Sequence, residues 1–276
     1  MGMNRQPRNQ NSDETTKSGR RETRLGQTIL PAILLIALVA TWQVVVEWRQ
    51  TPRWLMPSPA DIVNAFFESA DLIRHHAGIT LIEIAAGFGI ALVFGVAVAV
   101  TSHLFSIVRR TVYPLLVISQ SVPVIVLAPL LVIWFGFGIT PKIALIVLVC
   151  FFPICISFLD GLRAADSEIL NLLKVMGASK WQMFRIGRLP AAMPSLAAGA
   201  KIAATYSVIG AVIVEWLGAS RGLGVFLIRS QNSFRADRAF VVIVLVSALA
   251  VGLFIFIDLL ARWSMPWHYA RREIER

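Results

Sequence analysis

Charge is scarce in this chain. Only 15% of its 276 residues are Asp, Glu, Lys or Arg, against 57% hydrophobic residues, and the mean hydropathy is +0.70. A soluble domain carries roughly 25% charged residues, so that class is excluded. Cysteine is nearly missing: Cys150 and Cys155 stand five residues apart in one apolar run. That spacing puts them on different helix faces, which argues against a disulfide or a metal site and for small buried hydrophobes. Histidine is limited to His75, His76, His103 and His268, all expected outside the apolar runs. No G-x-x-x-x-G-K-[ST], H-E-x-x-H or C-x-x-C occurs, so the chain has no phosphate cradle of its own and no cofactor is expected in it.

What the chain does have is long apolar runs. Six of them, at about 28–47, 79–101, 112–135, 142–160, 196–217 and 239–261, reach the roughly 20 residues that cross a bilayer as a helix. The expected fold is therefore all-α, a polytopic membrane protein with six transmembrane helices. Residues 1–25 read as a disordered cytoplasmic tail, 26–265 as the six-helix domain with a loop over 161–195, and 266–276 as a second tail. A cleaved signal peptide is the alternative at the start, but the first apolar run is long for one. The net charge of +10 would suggest nucleic acid in a soluble protein. Here the positive-inside rule accounts for it and no nucleic-acid partner is expected. With both termini in the cytoplasm, the cytoplasmic segments hold 17 Lys and Arg and the outer loops 8. Arg221, Arg229, Arg235 and Arg238 are an unfavourable cluster in the last outer loop. Near the first, LMPSPADIVNAFFESADLI reads as an amphipathic helix along the membrane interface, started by Pro57-Ser58-Pro59.

Several residues inside the spans could carry chemistry. The third span contains Pro114, Pro123 and Pro129, with Ser119, Gln120 and Ser121 just before Pro123. It reads either as a kinked, pore-lining polar break or as ordinary interhelical hydrogen bonding. The fifth span carries Gly199, Ala203, Ser207 and Ala211 at four-residue intervals, a close-packing face within the bundle or between protomers. Lys201 and Glu215 in the same span lie roughly 21 Å apart, too far for an ion pair. Lys201 is expected to snorkel to the interface, Glu215 to shape an outer gate, and Glu83 to face the bundle. Gly218-Ala219-Ser220-Arg221-Gly222 fits G-x-S-x-G, yet no histidine is expected in reach and a helix, not a strand, precedes it. Catalysis is therefore not expected, and these glycines suit a re-entrant turn.

The most informative segment is DSEILNLLKVMGASKWQMFRIGRLPAAMPSL, residues 166–196, between the fourth and fifth spans. Asp166 or Ser167 can cap a first helix whose apolar stripe is Ile169, Leu170, Leu172, Leu173 and Met176. Gly177 supplies a left-handed stop. Ser179 can cap a second helix through Trp181, Phe184, Arg185 and Ile186, with Pro190 and Pro194 closing the unit. A rigid two-helix knob on a membrane protein is a docking surface for a soluble partner.

This segment resembles the cytoplasmic loop of ABC importer permeases, whose pattern is Glu-Ala-Ala, three residues, Gly, nine residues, Ile, one residue, Leu-Pro. Gly177, Leu189 and Pro190 fall at that spacing, while Asn171, Leu172 and Leu173 replace Glu-Ala-Ala and Gly187 replaces Ile. The resemblance extends from about Trp54 to about residue 260. Leu55-Met56-Pro57-Ser58-Pro59 and PLLVIWFGFGITPKIALIVLVCFFPI look like the nitrate/sulfonate/taurine branch. TYSVIGAVIVEWLGASRGLG is similar to the sub-branch serving vitamin-type heterocycles, thiamine pyrimidine precursors and riboflavin. The resemblance implies a six-span permease of type I importer fold in the cell membrane, not itself an enzyme. It also implies two separate ATPase subunits that use ATP, an extracytoplasmic binding protein, and a second permease copy making a homodimer among membrane lipids. The ATPase contact is expected at Leu173, Gly177, Ala178, Ser179, Trp181, Arg185, Leu189 and Pro190, and the translocation path at Ser119, Gln120, Ser121, Pro123, Tyr206 and Glu215. Nitrate, sulfonate or taurine are the alternative substrates. An ion-coupled secondary transporter is the alternative of another class.

Overall fold

The computed structural model describes residues 19–217 and 219–267, with side chains from residue 30 onward. Of the expected tails, residues 1–18 and 268–276 fall outside the described residues, as does Gly218 of the G-x-S-x-G run, while residues 19–25 form the start of the first helix rather than a tail without structure. In chain order the helices are α1 (Gly19–Trp48), α2 (Pro59–Glu68), α3 (Ala70–Leu104), α4 (Ser106–Gln120), α5 (Val124–Phe135) and α6 (Thr140–Arg163). There follow α7 (Ser167–Val175), the short α8 (Lys180–Gln182), a π-helical segment Met183–Arg188, α9 (Leu189–Trp216), α10 (Leu223–Asn232) and α11 (Ala236–Ser264).

Five stretches are long and apolar enough to cross a membrane: Leu30–Trp48, α3, α6, Lys180–Trp216 and α11. The sixth candidate is not one rod. Helices α4 and α5 meet at 103° across Ser121–Pro123, far sharper than the kink expected there. Pro123 has no N–H to continue the α4 ladder, and the chain restarts when Val126 N donates to Pro123 O at 3.0 Å.

Helices α3, α6 and α9 form the centre, sealed by Ile84, Ile146, Ile154 and Val208. The small-residue stripe of α9 does its packing inside the chain. Ala203, Ser207 and Ala211 are fully buried, Cys150 Sγ lies 3.2 Å from Ala203 O, and a Cβ at Gly199 would collide with Pro153 O and Ser157. Both cysteines are free and buried, as small hydrophobes in helix–helix contacts.

At one end α2 packs with α10 and the starts of α3 and α11 through Ile62, Ile73, Phe226 and Val242. Ser58 caps α2 with a full capping box, its hydroxyl accepting from Asp61 N at 3.2 Å while Asp61 Oδ2 accepts from Ser58 N at 3.1 Å. At the other end Phe158 and Leu162 of α6 pack with Phe184 of the π segment and Ala192 of α9.

Two expectations about the spans need correction. Helix α3 is 35 residues long, so His76 and His103 lie in the same continuous helix as the second span rather than outside it. The histidine ring is tolerated there because each has a partner, described below. Pro190 and Pro194 do not close the 166–196 unit either: the second loop helix runs on as α9. Pro190 falls in the first turn after the π segment, and the wider turn, in which Leu189 N donates to Phe184 O, absorbs the missing N–H.

Candidate functional site

The knob is built from local chemistry. Asp166 caps α7, its Oδ1 accepting from Glu168 N at 2.8 Å. Gly177 has φ +81°, and the helix ends in a Schellman pair: Gly177 N donates to Lys174 O and Ala178 N to Leu173 O, both at 3.0 Å. Ser179 opens the next turn with a capping box, Gln182 Oε1 accepting from Ser179 N at 2.7 Å. Trp181 stacks on Phe184 with centroids 5.5 Å apart, and Phe184 in turn lies 6.0 Å from the His103 ring. His103 Nε2 sits 2.7 Å from Arg188 Nη1, which fastens the knob to the end of α3.

Outward, the knob leaves an apolar patch: Val175 is 86% exposed, Met176 74% and Trp181 62%, with Ile169, Leu172 and Ile186 beside them. Such a patch on a polar-rimmed surface marks an interaction site. Of the residues expected to touch a partner, Gly177, Ser179, Trp181 and Arg185 are exposed and Ala178 half-buried. Leu173 turns inward instead, because Gly187 leaves it room there. Leu189 and Pro190 are half-buried in the first turn of α9.

The α4–α5 break opens a second feature, a cavity of about 190 Å³ between the break, α6 and α9. Ser119, Gln120 and Tyr206 supply its polar side, and Leu127, Leu148 and Ile209 are among its apolar walls. Ser119 also donates to Leu116 O at 2.8 Å. Ser121 and Pro123 form the break itself but are not in the lining. Glu215 is not there at all: it is 1% exposed and turned toward α3 and α10.

What Glu215 does is hold a turn. Its Oε2 accepts from Gly224 N at 2.5 Å and its Oε1 from Thr80 Oγ1 at 2.7 Å. Thr80 Oγ1 accepts from Leu223 N at 2.9 Å, and His76 Nδ1 accepts from Gly222 N at 2.9 Å. Three successive amides at the start of α10 are thus taken by three side chains, and the carboxylate sits where the helix dipole favours an anion. Gly222 has φ +128°, and a Cβ there would strike the Glu215 carboxyl. Next to it Lys142 pairs with Glu83 at 2.5 Å, both buried, and reaches Arg221 O at 3.4 Å. The histidine that the G-x-S-x-G reading lacked is therefore nearby, but His76 Nδ1 is occupied by Gly222 N, its ring stacks on Phe226, and a helix precedes the turn.

Lys201 has a partner within the chain. Its ammonium lies 2.9 Å from Asp258 Oδ1 on α11 and 5.4 Å from the Phe254 ring centre. Two arginines of the last loop are engaged: Arg235 pairs with Asp237 at 2.8 Å and Glu68 at 3.3 Å, and Arg229 donates to Ser220 O at 3.2 Å. His76, Thr80, Lys142 and Asp258 were missed as network members by sequence reasoning. A charged residue inside an apolar run was the available signal for Lys142 and Asp258, but it named no partner.

Residues 91–266 match the family profile described as "Binding-protein-dependent transport system inner membrane component". The chain is 37% identical over 242 residues to a formylaminopyrimidine transport permease protein of Halalkalibacterium halodurans, covering 87% of this chain and 96% of that one. It is 30% identical over 240 residues to a riboflavin transport system permease protein of Chloroflexus aurantiacus, covering 86% and 89%. Among solved structures, the fold resembles a crystal structure of an amino acid ABC transporter with TM-score 0.58 at 15% identity, covering 73% of this chain and 96% of that one.

Proposed function

The chain belongs to the inner membrane components of binding-protein-dependent transport systems, as a non-catalytic, membrane-embedded permease subunit of an ABC importer with the type I permease fold, and on that premise we propose that it imports a vitamin-type heterocycle, a thiamine pyrimidine precursor or riboflavin. The observation that carries the family's mechanism onto this chain is the capped knob with its exposed apolar patch. Separate ATPase subunits seat on Gly177, Ser179, Trp181 and their neighbours. An extracytoplasmic binding protein delivers the ligand at the α2–α10 end, and a second copy of the chain completes the path.

When the ATPases close on ATP, the knob moves with them. It is welded to α9 through the π segment and to α3 through Arg188 and His103, so the movement reaches the helices around the α4–α5 break. The path, proposed to pass Ser119, Gln120 and Tyr206, then changes the side to which it opens. Glu215 belongs to the scaffold of this path and not to its lining.

The substrate reading leans on the likeness of residues 205–224 to vitamin permeases and on the two relatives named above. Uptake of labelled riboflavin, thiamine pyrimidine, nitrate and taurine in cells with and without the gene tests it. Gene-dependent uptake of a heterocycle is the expected result. Uptake confined to nitrate or taurine would keep the permease and remove the vitamin assignment.

A further inference from the structure

The geometry points to a ligand site within the permease itself, at the α4–α5 break, that takes an uncharged, flat, hydrogen-bonding heterocycle and fixes it by Gln120 and Tyr206. This rests on the proposed function for the identity of the path. It adds where the ligand is recognised and by what.

Three observations carry it. First, irregular backbone at membrane depth is tolerated where it is buried in protein or lines a cavity, and here a 103° break faces a cavity of about 190 Å³. Second, neither the Gln120 amide nor the Tyr206 hydroxyl has a hydrogen-bond partner among the described residues, although both line that cavity. An amide offers a donor and an acceptor side by side, and a phenol adds a third polar point on an aromatic face. That set matches the edge and face of a nitrogen heterocycle. Third, no Asp, Glu, Lys, Arg or His lines the cavity. An anion entering it would lose its water and meet no counter-charge, a penalty that a neutral ring avoids. The apolar walls from α5, α6 and α9 cover the ring's faces instead.

The site separates the candidate substrates by charge. A neutral pyrimidine fits it, whereas nitrate, a sulfonate or zwitterionic taurine brings a charge that nothing there compensates.

The test uses cells expressing the complete transporter with wild-type chain, Gln120→Leu or Tyr206→Phe, at matched membrane levels of permease and co-purified ATPase. Initial uptake of labelled formylaminopyrimidine, riboflavin and taurine is measured over a concentration range. The expected result is saturable uptake of a heterocycle by the wild type, with the maximal rate at saturating binding protein lowered about tenfold in Gln120→Leu and less in Tyr206→Phe, where one oxygen is lost. Heterocycle uptake with the maximal rate unchanged in both variants would overturn this inference and leave the proposed function standing. Uptake of taurine beside a heterocycle would overturn this inference alone, and the absence of heterocycle uptake would overturn it together with the vitamin assignment.

Discussion

Gly187 and Leu173 lie against each other: a Cβ on Gly187 would stand 3.3 Å from Leu173 Cδ1 and 3.0 Å from Leu170 Cδ2. These are two of the positions at which the loop departs from the permease pattern. At these two positions the pattern has Ala and Ile, and this chain has Leu173 against Gly187. The large Leu173 and Leu170 side chains lie where Gly187 has none, which lets α7 seat closely on the π segment. Gly187→Ile alone is expected to overpack the contact and cost about 1–3 kcal/mol. Leu173→Ala alone leaves a gap there. The double variant is expected to be less destabilised than the sum of the two by about 1 kcal/mol, read from thermal unfolding of the purified complex as a double-mutant cycle. Simple additivity would contradict the pairing.

Gly177 stands at φ +81° in the Schellman turn, and no heavy atom is within 4 Å of a Cβ placed on it. A β-branched residue there is strained by its backbone rather than by crowding. Gly177→Val is expected to shift the turn between α7 and α8, leave the spans assembled, and separate ATP hydrolysis from uptake. The measurement is uptake per ATP hydrolysed in proteoliposomes, expected to fall several-fold. A wild-type ratio in stable protein would count against the knob as the coupling element.

The Lys142–Glu83 pair is buried, with side-chain exposures of 10% and 3%. Removing one partner strands the other charge, so Lys142→Met is expected to cost about 3–5 kcal/mol. The double change Lys142→Met with Glu83→Leu removes both charges and is expected to recover much of that loss. Thermal midpoints of the three variants check it. A double variant as unstable as Lys142→Met would show that the pair does more than satisfy itself.

Gly222 is the tightest point of the α9–α10 turn. Gly222→Ala meets both an unfavourable φ of +128° and the Glu215 carboxyl, and is expected to destabilise the chain by at least about 1–3 kcal/mol. Gly78→Ala in α3 meets open space and is expected to be neutral or slightly stabilising. Comparing the yields and melting temperatures of the two variants separates a specific turn from a general intolerance of added methyls.

Features that depend on neighbours in the chain were legible in advance. Ser58, Asp166, Ser179 and Gly177 announced their helix ends, because caps act over three or four residues and need no tertiary context. The prolines near residue 123 announced a break. Its angle was not readable, because it depends on what α5 packs against rather than on the proline. Partners far apart in sequence were also hidden. Lys142 finds Glu83 fifty-nine residues away and Lys201 finds Asp258 fifty-seven residues away, so a lone charge in an apolar run told of a partner without naming it. Of the residues proposed for the path, Ser119, Gln120 and Tyr206 do converge on one cavity. Glu215 could not be placed from sequence: its position one residue before the end of α9 suits a gate as well as a cap for α10.

Passage of a solute through the membrane by this chain is expected to depend on a separate ATPase. The most direct measurement is uptake into proteoliposomes holding the purified permease with its co-purifying ATPase, with binding protein and labelled heterocycle outside and ATP trapped inside. Accumulation that requires both internal ATP and the binding protein is the predicted result. Accumulation driven by an ion gradient with no ATPase present would contradict it and make the chain a secondary transporter.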